Sequence, residues 1–302
     1  MHILVTGSSG TIGTRLCEAL LAAGHAVIGL DRRKNAWQPS VQAITVLADL
    51  LDKATLQNVP KDIDAVIHLA ANARVYELVE DPPRALENFT TLFHTLEWCR
   101  ENRIPRFLFA SSRECYGNAS HERYTEDLVR VEHCESPYTA SKLGGEALVQ
   151  SYTRCYGLPH IMFRFSNVYG MYDDSDRVVP LFIRRMRKNE PITVFGKEKC
   201  LDFTYIDDTV QGIIGALTHF NSAKNETYNI AYGEGTTLID LAEQIQGLLN
   251  SSSTISICTP RTGEVIRYIA DTTKAQHALQ FAATTPFTEG IKKTVAWYLQ
   301  HA

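Results

Sequence analysis

Tyr138 and Lys142 stand four residues apart in Ser136-Pro137-Tyr138-Thr139-Ala140-Ser141-Lys142, a run that begins a helix and puts both side chains on one face. A phenol ionises near pH ~10, so a tyrosine acting as base at neutral pH requires a shift of about three units, roughly 4 kcal/mol. A lysine ammonium on the same face supplies part of that shift. Ser111 and Ser112 directly follow an apolar strand-type run, Arg106 to Phe109, so a hydroxyl there can hold a substrate oxygen beside the phenol. Taken alone, a Tyr-x-x-x-Lys spacing is common and marks an ordinary surface pair; the upstream segments decide its meaning.

The sequence Gly7-Ser8-Ser9-Gly10-Thr11-Ile12-Gly13 lies between a first apolar run, Ile3 to Val5, and a helix-period stretch whose Ile12, Leu16 and Leu20 share a face closed by Gly24. Glycines in a strand-to-helix turn permit a tight bend and let backbone N–H groups and the helix N-terminus approach a pyrophosphate. Gly7, Gly10 and Gly13 are therefore candidate cofactor residues. The second strand run, Ala26 to Leu30, ends at Asp31, where a carboxylate accepts hydrogen bonds from adenosine ribose hydroxyls. That carboxylate would repel a 2′-phosphate and so favours NAD, although Arg32, Arg33 and Lys34 follow at once and could neutralise the phosphate. An ordinary turn and a surface acid are the plain alternatives, but glycines, strand, helix and acid coincide. Oxidised nicotinamide would add positive charge near Tyr138 and further favour its ionised form.

These residues need a frame, and the first half of the chain supplies one. Strand-length apolar runs at Ile3 to Val5, Ala26 to Leu30, Ile44 to Leu47, Ala65 to Leu69 and Arg106 to Phe109 alternate with helix-period stretches. That order predicts an α/β fold, a doubly wound parallel sheet of the Rossmann type with helices on both faces. Asp81 before Pro82 opens a predicted helix with a stripe of Leu86, Phe89, Phe93 and Leu96. Beyond residue 170 the elements are shorter: a helix from Arg177 to Lys188, a capped helix from Thr237 with Leu238, Leu241, Ile245 and Leu248, and a last one through Ile291, Val295 and Tyr298. We expect an NAD-binding domain over residues 1–170, joined by a return segment near 203–231, and a smaller α/β substrate-binding lobe drawn mainly from 171–302, with the ligand cleft between them.

Thirty Lys and Arg against 34 Asp and Glu give a net charge of −4, which offers no attraction to a nucleic-acid backbone. The first residues fit neither a signal peptide nor a membrane span, so the mature chain is expected to start at Met1. Seven scattered cysteines without a C-x-x-C pair suit free thiols in a reducing cytoplasm rather than a disulfide frame or zinc site, and no metal is expected. Cys115 and Cys134, near the predicted site, read as small packing residues.

GSSGTIG, HLAA (68–71), SSRECYG (111–117), YTASK (138–142) and RFSNVYG (164–170), with FTYIDD (203–208) and RTGE (261–264), resemble the extended short-chain dehydrogenase/reductase superfamily, and more narrowly its NAD-dependent nucleotide-sugar epimerase/dehydratase family. The resemblance, closest in kind to UDP-glucose 4-epimerases, covers nearly the whole chain. It implies that Thr11, Ile12, Asp49, Leu50, Ala70 and Asn88 join the glycines, Asp31 and Arg32 around NAD, and that Asn167 and Arg261 face the diphosphate of a nucleotide sugar. It further implies that Tyr138 takes the proton of a sugar hydroxyl at C4 while Ser112 orients it and Lys142 binds the nicotinamide ribose. A homodimer through the helices containing Phe89 and Tyr138 follows from the same resemblance, while the cytoplasmic location rests on the free cysteines.

Three positions shape the choice of reaction. Glu114, two residues before Tyr116, occupies a place where the family's 4,6-dehydratases and uronate decarboxylases resemble one another in carrying glutamate, and a carboxylate there could remove a C5 proton. Arg113 stands where dTDP-glucose dehydratases resemble one another in carrying aspartate; it could pair with a sugar carboxylate, or merely with Glu114. Leu201 replaces the arginine that the family commonly uses on the substrate phosphates, with Lys197, Lys199 or the run Arg184, Arg185, Arg187 and Lys188 as possible substitutes. A nucleotide-sugar 4-epimerase working through a 4-keto intermediate leads; a 4,6-dehydratase, a UDP-glucuronate decarboxylase and a non-catalytic NAD-sensing regulator are the alternatives.

Overall fold

The computed structural model describes residues 1–301. From the N-terminus its elements run β1 (His2–Thr6), α1 (Thr11–Ala22), β2 (Ala26–Asp31), α2 (Pro39–Ile44), β3 (Thr45–Leu47), β4 (Ala65–His68), α3 (Val75–Glu80), α4 (Pro83–Glu101), β5 (Phe107–Ser112), α5 (Pro137–Tyr156), β6 (His160–Phe165), β7 (Asn167–Tyr169) and α6 (Val178–Arg187). They continue with β8 (Ile192–Phe195), β9 (Cys200–Tyr205), α7 (Ile206–Thr218), α8 (Phe220–Ala223), β10 (Glu226–Ile230), β11 (Gly235–Thr237), α9 (Leu238–Leu249), β12 (Ile255–Cys258), β13 (Arg267–Tyr268), α10 (Thr273–Leu279) and α11 (Phe287–His301).

Seven strands form one parallel sheet in the order β10-β6-β5-β4-β1-β2-β3. The fold is thus a doubly wound α/β sheet. Strand order reverses between β1 and β4, and the crevice beyond the carboxyl ends of those strands is where such sheets bind ligands. The central strands β1, β4, β5 and β6 are buried on both faces, consistent with their near-continuous apolar runs, while edge strand β3 leaves Val46 and Leu47 exposed. One core cluster joins Leu16 and Leu20 of α1 to Val210 and Ile213 of α7; another, across the sheet, joins Leu92 and Leu96 of α4 to Val149 of α5. Strand β10, from late in the chain, pairs with β6, and Ala275, Leu279 and Phe281 pack into the same core as α1.

The remaining strands form two small sheets, β11-β9-β13 with β7 on β9, and β12-β8. With α6, α9 and α11 they bury a third cluster that includes Phe182, Leu241, Ile245 and Val295. Thr237 caps α9 by accepting a hydrogen bond from the Asp240 N–H at 3.0 Å, the cap expected there. Among the described residues no helix is long and apolar enough to cross a membrane.

Some expectations fail locally. The stripe assigned to the Asp81 helix holds only in part: Leu96 is buried and Phe89 half-buried, but Leu86 and Phe93 are 68% and 42% exposed, and α4 buries Asn88, Leu92, Thr95, Trp98 and Cys99 beside Leu96. The helix offers two apolar faces, and the sheet takes the one carrying Leu92 and Cys99. Leu248 likewise lies 40% exposed while Leu238, Leu241, Ala242 and Ile245 are buried. Ile44 ends α2 rather than opening a strand, and β5 runs on through Ser111 and Ser112. Cys115 is buried, whereas Cys134 is exposed and does not pack.

Candidate active site

The glycine turn is shaped by its own backbone. Gly7 has φ +72°, and a Cβ there would fall 2.8 Å from the Ala70 nitrogen, so β1 and β4 close on each other only without a side chain. A Cβ on Gly13 would stand 2.0 Å from the Gly7 carbonyl oxygen, which holds the first turn of α1 against the loop. Gly10 is the N-cap of α1, with no side-chain partner, leaving that N-terminus open to an anion. Gly13→Ala is expected to cost about 1–3 kcal/mol of stability and weaken NAD binding at least ~10-fold, as overpacking pushes the helix off the turn. Gly24→Ala is the matched control: its φ of +80° strains an alanine, but nothing lies within 4 Å and the residue is remote from the turn. Thermal unfolding and NAD titration of the two variants separate these effects.

Asp31 ends β2 beside this turn. Its two carboxylate oxygens accept from the Ser9 N–H at 3.0 Å and the Arg33 N–H at 2.9 Å, fixing the carboxylate at the lip of a cleft. That cleft, of about 150 Å³, gathers Gly7, Gly10, Asp31, Arg32, Asp49, Leu50, Ala70 and Asn88. It also includes Asn72, which sequence reasoning missed. Asn72 is buried and ties the wall together, donating to Glu87 at 2.8 Å and accepting from Arg32 at 3.2 Å, while its N–H donates to Asn88 Oδ1 at 2.6 Å. Its signal was its place immediately after HLAA, at the carboxyl end of β4.

The cleft adjoins a cavity of about 910 Å³ lined by Gly7, Gly10, Thr11, Ile12 and Gly13 at one end and by Ser112, Glu114, Tyr138, Lys142, Asn167 and Arg261 farther along. Glycine turn and tyrosine-lysine helix therefore open on one space, and the space suits a dinucleotide together with a second ligand. Ser136 caps α5, its Oγ accepting from the Thr139 N–H at 3.1 Å with Pro137 in the first turn, and this anchors Tyr138. The Tyr138 ring and the Lys142 side chain are both buried at the cavity wall.

The electrostatics differ from the sequence expectation. The Lys142 Nζ donates to the Ala110 carbonyl at 2.7 Å and sits 5.8 Å from the centroid of the Tyr138 ring. Burial pushes the Tyr138 phenol up to about 12, against the lowering effects of the Ser112 hydroxyl and of Arg177. Burial also brings Lys142 down to about 8, with Cys115 and Glu146 opposing that fall. The polypeptide alone thus does not hold an anionic phenol through its lysine, because burial disfavours the charged form of both groups. Arg177, which lines the cavity and acts on Tyr138, was not singled out from the sequence.

Glu114 and Arg113 follow Ser112 in a single helical turn, and both are buried. Arg113 Nη2 lies 2.7 Å from Glu114 Oε1, and its Nε donates to Asn167 Oδ1 at 2.8 Å. Burial raises the Glu114 carboxyl above its ordinary range, with Arg113 and Lys199 pulling it back. Leu201 is buried in β9; among the basic residues considered in its stead, Lys199 lines the cavity while Lys197, Arg184, Arg185, Arg187 and Lys188 do not. Lys199 pairs with Glu264 at 2.6 Å. Arg261 stacks over the rings of Phe195 and Tyr76, at 4.0 Å and 4.7 Å to their centroids.

Residues 3–231 match the model of the NAD dependent epimerase/dehydratase family. The chain belongs to that family. This epimerase/dehydratase is 33% identical over 306 residues to a putative UDP-glucose 4-epimerase of Methanocaldococcus jannaschii, covering 98% of this chain and 97% of the relative. It is also similar to the solved structure of a UDP-glucose 4-epimerase with UDP-glucose from Thermotoga maritima, at TM-score 0.92 and 29% identity over 99% of both chains. A UDP-glucuronic acid 4-epimerase from Bacillus cereus, in complex with UDP-glucuronic acid and NAD, matches at TM-score 0.90 and 29% identity over the full length of both chains. The matched range of this epimerase/dehydratase contains both the glycine turn and the tyrosine-lysine helix.

Proposed function

We propose that this protein is a nucleotide-sugar 4-epimerase that oxidises its substrate transiently at C4 and reduces it again, with NAD as cofactor. The observation that carries the reading is the single cavity onto which Gly7, Gly13, Ser112, Tyr138 and Lys142 all open. NAD, held by the glycine turn, Asp31, Asp49, Leu50 and Asn88, supplies a reversible hydride acceptor when bound. The chain's own residues handle the proton and the geometry. Tyr138 takes the hydroxyl proton at C4 and later returns it; Ser112, on the same cavity wall as the phenol, holds the same oxygen. Lys142 keeps positive charge next to that exchange and to the ribose. Asn167 and Arg261 face the diphosphate. Turning the 4-keto sugar over before it is reduced inverts C4, and no outside reductant is consumed.

Incubation with UDP-glucose, UDP-N-acetylglucosamine, UDP-glucuronate and dTDP-glucose tests the reading, with products followed by mass and NMR. The expected product has unchanged mass and a new C4 resonance. Loss of water or carbon dioxide would replace epimerisation by dehydration or decarboxylation, the reactions that Glu114 could serve, and silence on every substrate would leave the NAD-sensing role. The protein is further proposed to be a cytoplasmic homodimer. Exposed Leu86 and Phe93 on α4, with Tyr156 on the neighbouring α5, support pairing through those two helices.

A further inference from the structure

Deepening the nucleotide-sugar reading on which it rests, we infer that Arg113 and Glu114 form a specificity element that accepts an uncharged sugar through one of its hydroxyls and rejects a sugar carboxylate. Arg113 and Glu114 are only 7% and 4% exposed. Each uses one side on the other: Arg113 Nη2 meets Glu114 Oε1 at 2.7 Å, while Arg113 Nε is held by Asn167 Oδ1 at 2.8 Å. That leaves Arg113 Nη1, a donor, and Glu114 Oε2, an acceptor, buried without a protein partner, and both residues line the cavity with Ser112 and Tyr138. Buried polar atoms without partners are costly, so a pair facing a ligand space defines what must fill it.

Asn167 Nδ2 beside them is a second buried donor without a partner, and the complement of two free donors next to one free acceptor is a group that accepts and also donates, as a hydroxyl does. A carboxylate accepts only. It could take the Arg113 N–H but would place its charge against Glu114. The two cations that act on Glu114 are already engaged: Arg113 is paired with Glu114 itself, and Lys199 with Glu264 at 2.6 Å. Adding a third anion to two matched pairs in a buried site is unfavourable, whereas a neutral hydroxyl leaves the charge balance intact. Solved relatives are bound to UDP-glucose in one case and UDP-glucuronic acid in another, so family membership alone does not decide this point.

The test is calorimetric titration of the NAD-loaded Tyr138→Phe protein, which stops turnover, with UDP-glucose, UDP-glucuronate and UDP alone. UDP-glucose is expected to bind about 30-fold more tightly than UDP-glucuronate. In the double variant carrying Glu114→Gln, an amide of the same size removes the opposing charge, and the gap should narrow to about threefold, mainly by gained affinity for UDP-glucuronate. Unchanged UDP affinity and near-ultraviolet circular dichroism show that the variant is folded. Equal or tighter binding of UDP-glucuronate to the parent, an undiminished gap in the Glu114→Gln variant, or no gain of either sugar over UDP overturns the inference. Epimerisation is read separately in the wild-type product assay, so selective binding without turnover would sink the proposed reaction and spare this element.

Discussion

Replacing Tyr138 by phenylalanine is expected to lower kcat by about 10²- to 10⁴-fold, the usual contribution of a positioned acid–base group, while NAD content stays unchanged. The ring remains to pack at the head of α5, and only the proton carrier is lost. Burial holds the phenol at about 12, so the polypeptide alone leaves on the order of one phenolate in 10⁵ at pH 7. Wild-type rate should therefore climb through neutrality as the ionised fraction grows, and bend where Lys142 gives up its charge above about 8. The phenylalanine variant should lose that climb. Steady-state rates across pH, with bound nucleotide released and quantified, check both statements; a variant retaining a tenth or more of wild-type kcat would remove the phenol from the proton path.

The parts of the site legible in the sequence are those set by covalent neighbours. Gly7 to Gly13, Asp31 at the end of β2 and the Tyr138–Lys142 spacing each belong to one short segment whose conformation its own residues dictate. The parallel sheet was legible because continuous apolar runs suit a sheet buried on both faces. What escaped depends on contacts between distant segments. The Arg113 bond to Asn167 spans 54 residues, and the Lys199 pair with Glu264 spans 65. On α4, period alone offered Leu86 and Phe93 as readily as Leu92 and Cys99, and only the sheet beneath the helix chose between them. Lys142 shows the same limit in electrostatic form: its spacing from Tyr138 was readable, but the Ala110 carbonyl that accepts its hydrogen bond and the burial that disfavours its charge were not.

Lys142→Met is expected to cut turnover by about 100-fold or more and, in the absence of NAD, to make the fold more stable at neutral pH. The ammonium is held at about 8 against an ordinary 10.5, chiefly by burial, which corresponds to roughly 3 kcal/mol spent keeping it charged at pH 7. Methionine fills similar length without charge, but leaves the Ala110 carbonyl without this donor, at about 1 kcal/mol. The net gain should be about 1–3 kcal/mol. Its pH dependence has a definite sign. Between about 8 and 10.5 the unfolded chain keeps the lysine proton that the folded chain has released, so wild-type stability recovers as pH rises through that window. The advantage of methionine is therefore full below pH 8 and shrinks toward 10.5. Urea unfolding of both proteins at neutral pH and at pH ~9.5 reads the difference directly. A wild type as stable as the variant at neutral pH would mean that its ammonium is not desolvated, and the cavity wall would then carry less strain than the geometry implies.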